Sequence, residues 1–284
     1  MNFNNLDTND TDQSAARLAA LLAGYPRVAV LTGAGCSTAS GIPDYRDERG
    51  EWKHAQPMQF REFIESHANR QRYWARSFLG WRRVAAARPN ATHRALSELE
   101  SRGRVHQLIT QNVDELHERA GSKDVVHLHG VLSQVTCLSC GDITQRSDLQ
   151  VRLEELNVGW SGVASSSAPD GDAAPAADTR DFSIVDCERC GGVLKPNVVF
   201  FGEGVPKHRV EGCKRAVTES DALIVVGSSL MVFSGFRFAR LARSLGKPIV
   251  IVNRGKTRAD DIADARFNAD CGELLTGAVE RLVA

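Results

Sequence analysis

Apolar and polar positions follow two different periods along most of the chain. Short runs rich in β-branched residues predict buried strands at 27–32, 105–110, 125–128, 222–226 and 249–252. Segments with apolar residues on one helical face, most of them followed by a glycine, predict helices at 11–23, 89–102, 113–120, 234–245 and 273–283. Because strands alternate with helices of this length, we predict an α/β fold: a doubly wound, mostly parallel Rossmann-like sheet with helices on both faces.

Two stretches interrupt this alternation. Residues 46–88 contain aromatics, many arginines and no clean strand, which predicts an irregular loop followed by helices inserted in the main domain. Residues 131–196 contain two pairs of cysteines, and small, polar and helix-breaking residues dominate 161–179, which predicts a flexible surface loop. We therefore predict one large domain of residues 1–130 and 197–284, with a small cysteine-bearing module of residues 131–196 inserted in it.

The cysteine pairs are Cys137 with Cys140 and Cys187 with Cys190, and a glycine follows each pair. Two Cys-x-x-Cys-Gly turns supply four thiolates, which close a tetrahedral Zn²⁺ site with no open position, so the predicted zinc is structural. The spacing between the pairs exceeds that of a usual zinc ribbon, and the predicted loop accounts for the excess. Redox dithiols or buried thiols are the alternatives, and the doubled spacing favours zinc over both.

Charge and hydropathy exclude several classes of protein. Lys plus Arg and Asp plus Glu each number 35, so the chain lacks the basic excess with which proteins hold nucleic acid through bulk electrostatics. No apolar run reaches the ~18 residues that a membrane-spanning helix needs. Residues 1–16 contain no Lys or Arg and three Asp, unlike secretory or mitochondrial leaders. We therefore expect a cytoplasmic protein with no nucleic-acid or membrane partner.

Gly33, Ala34 and Gly35 directly follow the first predicted strand. Glycines at this place let backbone N–H groups approach the pyrophosphate of a dinucleotide. The third glycine of the usual fingerprint is missing, since Thr38 stands there, and the acidic residue expected ~20 positions later is not evident. An ordinary dehydrogenase is thereby disfavoured, and a plain tight turn between strand and helix stays an alternative.

The continuation of this turn, GAGCSTASGIPDYR at residues 33–46, resembles the signature of the sirtuins, the NAD-consuming protein deacylases. Other blocks typical of that family follow in order, and they are TQNVD at 110–114, HG at 129–130, the two cysteine pairs, KPNVVFFGE at 195–203, GSSL at 227–230 and VN at 252–253. The resemblance extends over residues 29–275 and is greatest to the class II branch. One departure is Cys36, where the family usually has a larger apolar residue.

The resemblance implies an NAD-dependent protein-lysine deacylase, acting as a deacetylase. Such an enzyme transfers the acyl group of an acylated-lysine protein to ADP-ribose and releases nicotinamide. Protein mono-ADP-ribosyl transfer from the same NAD site is the enzymatic alternative. A non-enzymatic zinc-knuckle module is disfavoured by the neutral charge and by the intact blocks.

The resemblance also implies which residues bind NAD. They are Gly33, Ala34, Gly35, Ser37, Ile42, Pro43, Asp44, Tyr45 and Arg46, then Gln111, Asn112, Val113 and Asp114, then Gly227, Ser228 and Ser229, and finally Asn253, Arg254, Gly255 and Cys271. Within this set, Asn112 is expected to orient ribose hydroxyls and water. Asp114 is expected to line the nicotinamide pocket with Ile42 and Asp44. An Asn or Asp at a strand–helix junction also serves as a helix cap, and that alternative stays open.

His129 is the catalytic base that the resemblance implies, together with Asn112 and Asp114 as catalytic residues. An imidazole titrates near neutral pH and accepts a proton from a ribose hydroxyl; a structural histidine is the alternative. Val199, Phe201 and Gly202 are expected to line the acyl-lysine tunnel, with Val199 and Phe201 on one face of a strand. A purely buried strand is the alternative there.

Tyr73 and Arg76 form a Tyr-x-x-Arg pair, three residues apart and so on one helical face. Another branch of the family clamps short acidic acyl groups with such a pair. Here the pair lies about one helical turn earlier than that branch requires. We therefore favour a tunnel that takes uncharged or bulkier acyl groups, with the clamp as the alternative.

Overall fold

The computed structural model describes residues 11–53, 56–160, 164–167, 173–175 and 178–282. Its α-helices are α1 Thr11–Gly24, α2 Phe60–Glu65, α3 His67–Ala86, α4 Ala91–Ser101, α5 Leu116–Arg119, α6 Arg146–Leu156, α7 Lys207–Glu219, α8 Phe233–Ser244 and α9 Cys271–Arg281. Its strands are β1 Val28–Thr32, β2 Val105–Thr110, β3 Val125–His127, β4 Gly130–Cys137, β5 Ile143–Gln145, β6 Ala164–Ser167, β7 Ala173–Pro175, β8 Leu194–Val198, β9 Ala222–Val226, β10 Ile249–Val252 and β11 Ala265–Phe267. Short 3₁₀ helices lie at Ala34–Ser40, Thr179–Asp181 and Asp260–Ile262.

These elements form two compact units. The first contains the described residues of Met1–Lys53, Arg88–Leu128 and Val205–Ala284. Its sheet has the strand order β11-β10-β9-β1-β2-β3, with every pair parallel. The predicted doubly wound parallel sheet is therefore confirmed. The strand order reverses between β1 and β9, and in such sheets ligands bind beyond the carboxyl ends of the strands at this point.

Both faces of this sheet are covered, which explains the uninterrupted apolar runs of its central strands. Val28 and Val30 belong to a core beneath α1, α4 and α9, whereas Ala29 and Leu31 belong to a second core beneath α7 and α8. Successive side chains of a strand point to opposite faces. Phe238 of α8 is completely buried, and full burial of such a side chain stabilises the fold by about 1.5–3 kcal/mol.

The second unit contains the described residues of His54–Ala87 and His129–Gly204. An antiparallel sheet of order β5-β4-β8 carries the cysteine turns. Tyr73 of α3 packs its ring 5.3 Å from that of Phe63 and 5.1 Å from that of Phe200. Phe78 of the same helix lies 5.4 Å from Phe182. These aromatic contacts explain why residues 54–87 group with residues 129–204.

Part of the predicted loop 161–179 lies outside the described residues. Within it, β6 pairs with β7 in an antiparallel manner. None of the described helices combines the length and the apolarity that crossing a membrane requires.

Candidate active site and metal centre

The turns that follow β1 and β9 are in backbone contact. Gly35 N donates to the carbonyl of Gly227 over 2.8 Å, and the 3₁₀ helix Ala34–Ser40 starts at this point. A Cβ on Gly33 would lie 2.7 Å from Cβ of Ser228, and one on Gly35 would lie 2.9 Å from the Gly227 carbonyl oxygen. No side chain fits at either position, so the glycines are required by the close approach of two strand ends.

The residues that follow β2 are hydrogen-bonded to these same turns. The Gln111 side-chain amide donates to Oγ of Ser228 over 2.8 Å. The Asn112 side-chain amide donates to the Gly33 carbonyl and to Oγ of Ser37, both over 3.1 Å. The carboxyl ends of β1, β2 and β9 thus bring together three of the four predicted blocks.

Asp114 is buried at the same edge of the sheet. The Ser37 hydroxyl donates to Oδ2 of Asp114 over 2.6 Å, and the Leu116 amide donates to Oδ1 over 3.0 Å. Burial raises the pKa of the Asp114 carboxyl, while the bonds from Ser37 and Leu116 act to lower that pKa. Asp114 therefore caps the backbone at the start of α5 and is also joined to the glycine turn.

The loop after the 3₁₀ helix folds back on itself. Nζ of Lys53 lies 2.5 Å from Oδ1 of Asp44, and the Arg46 guanidinium lies 3.5 Å from the centre of the Trp52 ring. Nη1 of Arg46 also donates to the carbonyl of Gly50 over 3.2 Å. This loop carries the other predicted residues of the first block, Ile42, Pro43 and Tyr45.

The fourth block follows β10. Asn253 is buried, and its side-chain amide donates to the Arg254 carbonyl over 2.7 Å. Cys271 is the first residue of α9, and its thiol donates to the Val252 carbonyl over 3.5 Å. Burial raises the pKa of Cys271 to about 12, so this thiol is protonated at neutral pH.

His129 belongs to the second unit. Its carbonyl accepts from the Val199 amide over 2.7 Å, immediately before β4 pairs with β8. The structure thus joins His129 to the predicted substrate segment. The prediction that Val199 and Phe201 share a strand face is wrong, because β8 ends at Val198.

A tight turn ends this strand. Glu203 N donates to the Phe200 carbonyl over 3.0 Å, and Phe200 N donates to the Glu203 carboxylate over 2.8 Å. Nζ of the buried Lys195 lies 3.1 Å from the same carboxylate and donates to the Val198 carbonyl. This ion pair holds the turn that carries Phe201. Sequence reasoning gave Lys195 and Glu203 no role, although both stand in the block KPNVVFFGE.

The four cysteines form one cluster. Their sulfurs all lie within 4.8 Å of one another, with Cys137 3.5 Å from Cys190 and Cys140 3.8 Å from Cys187. A tetrahedron with Zn–S bonds of ~2.3 Å has S···S edges of about 3.8 Å. The amides of Cys140 and Ser139 lower the pKa of Cys137, whereas the neighbouring thiols raise the pKa of Cys190, so the assignment rests on the positions of the four sulfurs. The cluster fits a structural zinc site, as predicted.

A family model described as "Sir2 family" matches residues 33–234. The chain is 50% identical over 255 residues to a curated protein of Bradyrhizobium diazoefficiens named NAD-dependent protein deacetylase 2, covering 89% of this chain and 93% of that protein. It is 48% identical over 275 residues to the NAD-dependent protein deacetylase of Bordetella bronchiseptica, covering 96% of this chain and 100% of the other. A solved complex of Sir2 with a p53 peptide and NAD⁺ matches with a TM-score of 0.76 at 32% identity, covering 93% of this chain and 97% of that one.

Proposed function

We propose a role in the reaction for each site residue of this chain, which belongs to the Sir2 family and is an NAD-dependent protein deacetylase. Bound NAD would supply an anomeric ribose carbon that becomes electrophilic as nicotinamide leaves and is attacked by the substrate amide oxygen, and a ribose hydroxyl that then receives the acyl group. The observation that carries the proposal is the meeting of three strand ends at Gly33, Asn112 and Gly227. There, two turns approach too closely for a Cβ, as a backbone cradle for a pyrophosphate requires.

The first unit binds NAD in this proposal. The glycine turn and Ser228 hold the phosphates, while Asn253 and the backbone of Cys271 contact the adenosine end. Asn112 orients the ribose hydroxyls, because its side-chain amide is already fixed by the Gly33 carbonyl and by Ser37. A fixed polar group loses little freedom on binding, so it stabilises a bound geometry effectively.

The nicotinamide end is assigned to Ile42, Asp44 and Asp114. The bonds from Ser37 and Leu116 hold the Asp114 carboxylate in one orientation. Arg46 is assigned to guide the phosphates or the leaving nicotinamide. The remaining residues of the four blocks are assigned as backbone or neighbouring contacts, and they are Ala34, Gly35, Pro43, Tyr45, Gln111, Val113, Ser229, Arg254 and Gly255.

His129 is assigned as the general base that takes a proton from a ribose hydroxyl. Two observations support this assignment: the His129 carbonyl accepts a hydrogen bond from the Val199 amide, and His129 directly precedes the paired strand β4. Val199, Phe201 and Gly202 are assigned to the acylated-lysine segment of the substrate, which binds in an extended form. Such pairing uses main-chain groups and therefore needs little sequence selectivity in the substrate.

The wider proposal concerns organisation and place in the cell. We assign NAD binding to the domain predicted at residues 1–130 and 197–284 and zinc binding to the module predicted at 131–196, although residues 54–87, 129–130 and 197–204 group with the second compact unit in the structure. Acylated-lysine proteins are the substrates, with no nucleic-acid partner, and the protein acts in the cytoplasm. The balance of 35 basic and 35 acidic residues supports the absence of a nucleic-acid partner.

Replacing His129 by Phe tests the assignment of the base. We expect His129→Phe to lower the rate of O-acetyl-ADP-ribose formation from NAD and an acetyl-lysine peptide by ~10²–10⁴, the usual effect of losing a general base. NAD affinity and the unfolding midpoint stay close to wild type. His208→Phe, at an exposed position of α7, is the matched control and keeps full activity.

Full turnover in His129→Phe would show that another group is the base. ADP-ribose attached to protein, without O-acetyl-ADP-ribose, would instead identify the chain as a mono-ADP-ribosyltransferase. Nicotinamide release measured in the same reactions separates these outcomes from an inactive preparation.

A further inference from the structure

A chain of buried polar side chains lies beneath the candidate NAD site, and the reaction proposed above does not use it. His93, His117, Thr32 and Thr110 are each at most 2% exposed. The two imidazole rings lie 4.8 Å apart between centroids and are tilted by 59°. Burial of polar groups is costly unless they are hydrogen-bonded, so the direction of each bond in this cluster matters.

The hydrogen bonds around Thr32 determine the tautomer of His117. The Thr32 hydroxyl donates its single proton to Oγ1 of Thr110 over 2.9 Å. Nε2 of His117 lies 3.0 Å from Oγ1 of Thr32 and must therefore be the donor. Burial lowers the pKa of His117 well below its usual range, so the ring is neutral. Nδ1 of His117 is consequently an acceptor without a proton.

His93 has the opposite arrangement. Its Nδ1 accepts from the Asn90 backbone amide over 3.2 Å, as part of the capping box of α4. Burial lowers the pKa of His93 to about 4, so this ring is neutral too and carries its proton on Nε2. The tilted rings therefore offer a donor, Nε2 of His93, and an acceptor, Nδ1 of His117. Within the described part of the chain neither atom has a hydrogen-bond partner, so the two rings are in contact without a hydrogen bond between them.

The hydrogen bonds on either side of this ring contact reach residues of the candidate site. Oγ1 of Thr110 accepts from the backbone amide of Asn112 over 3.0 Å. At the other end, the Asn90 side-chain amide donates to the Cys36 carbonyl over 2.7 Å and to Oγ of Ser40 over 2.9 Å. Thr110 is thus bonded to the backbone that carries Asn112, and Asn90 to the 3₁₀ helix after the glycine turn; the contact between the two imidazole rings is where these two sets of hydrogen bonds meet.

The stability of the fold alone does not explain why these buried positions hold polar residues. Thr32 ends a strand whose four preceding residues, VAVL, are apolar and buried. Replacing both partners of a buried hydrogen bond by apolar groups of similar shape is often nearly neutral. A core at this position has no need of hydroxyls and imidazoles, whereas a hydrogen-bonded chain specifies one backbone position.

We propose that the hydrogen-bonded series His117–Thr32–Thr110 holds the Asn112 backbone in the position from which its side chain orients the ribose of NAD, with the ring of His93 packed against that of His117. Thr32 and His117 are then positioning residues for deacetylation. This inference rests on the role that the proposed function gives to Asn112.

Thr32→Val is the decisive substitution, because valine keeps the shape of threonine and removes its hydroxyl. We expect it to lower kcat/KM for NAD about 10- to 100-fold, since small misplacements of a positioning group have effects of that order. Thr32→Ser keeps the hydroxyl and restores kcat/KM to within about twofold of wild type. His117→Gln retains a side-chain donor toward Thr32 and loses less activity than His117→Leu.

The background variant Asn112→Ala separates positioning from a general loss of stability. If Thr32 acts through Asn112, Thr32→Val has little further effect on kcat/KM in that background, although it lowers the urea midpoint equally in both backgrounds. Equal kinetic losses in the two backgrounds, or wild-type kinetics of Thr32→Val, would overturn the inference. Thr110→Val gives an independent test if Thr32→Val does not fold, and it carries the same expectation. Wild-type kcat/KM in Asn112→Ala would instead overturn the role proposed for Asn112 itself.

Discussion

Gly227→Ala is the substitution that tests the close approach of the two strand-end turns most directly. Gly227 has φ +59°, a left-handed conformation that L residues rarely adopt. A Cβ at this position would lie 2.5 Å from the Cys36 amide nitrogen and 2.8 Å from its sulfur. The first of these atoms belongs to the backbone of the 3₁₀ helix after the glycine turn, so that helix has to move.

The expected loss of stability has two parts. The left-handed conformation costs an L residue about 1–2 kcal/mol, and overpacking a filled site costs typically about 1–3 kcal/mol more. Gly246→Ala isolates the first part, because Gly246 has φ +67° with no heavy atom within 4 Å of its Cβ position. We therefore expect Gly227→Ala to lower the free energy of unfolding by about 1–3 kcal/mol more than Gly246→Ala does.

Urea denaturation followed by circular dichroism measures the two free energies, and calorimetric titration with NAD measures binding. Gly227→Ala is expected to lose NAD affinity, because the displaced helix carries the glycine turn with it, whereas Gly246→Ala keeps wild-type affinity. Equal destabilisation of the two variants would refute the steric reasoning. Wild-type NAD affinity in Gly227→Ala would refute the assignment of the cradle to the cofactor.

The central strands could be predicted closely from the sequence. The bounds predicted for β2, β9 and β10 coincide with those observed; β9 and β10 are continuous apolar runs, as strands buried on both faces are. The helix predicted at 113–120 begins only at Leu116. Asp114 accepts the Leu116 amide and Glu115 has φ +57°, so the chain enters the helix late.

Other elements have a sequence pattern too weak for their bounds to be predicted. Strand β11 has three residues, fewer than an alternating pattern needs. Helix α7 is rich in charged residues and contains Gly212, and its buried face of Val210, Cys213, Ala216 and Val217 has no large apolar side chain. The strand expected through Phe201 stops at Val198 because the Glu203 carboxylate binds the Phe200 amide, and a turn of this kind depends on a side chain further along the sequence.

The residues of the candidate site also differ in how well the sequence predicts them. Glycines and paired cysteines are recognisable because their spacing reflects local turns. The chain of Thr32, His93, His117 and Thr110 has no spacing of its own, since Thr32 is 78 residues from Thr110 and 85 from His117. A single polar residue in one element does not indicate a buried cluster in the sequence until the fold brings it together with the others.

Two further predictions concern the metal and the buried imidazoles. Metal analysis should find one zinc per chain. Cys140→Ser is expected to lose this zinc and to unfold the small antiparallel sheet, whereas the control Cys213→Ser, whose thiol lies outside the cluster, keeps it. Zinc retained in Cys140→Ser would contradict the assignment. The pH dependence of stability follows from His93, whose pKa is about 4 in the folded protein against 6.5 for an unperturbed histidine. Between these values the unfolded chain binds more protons, so the free energy of unfolding falls as pH drops below about 6.5, by up to about 3 kcal/mol at pH 4. Urea midpoints measured between pH 7.5 and 5 should therefore decline less steeply in His93→Asn than in wild type, and equal slopes would show that His93 is not the group responsible.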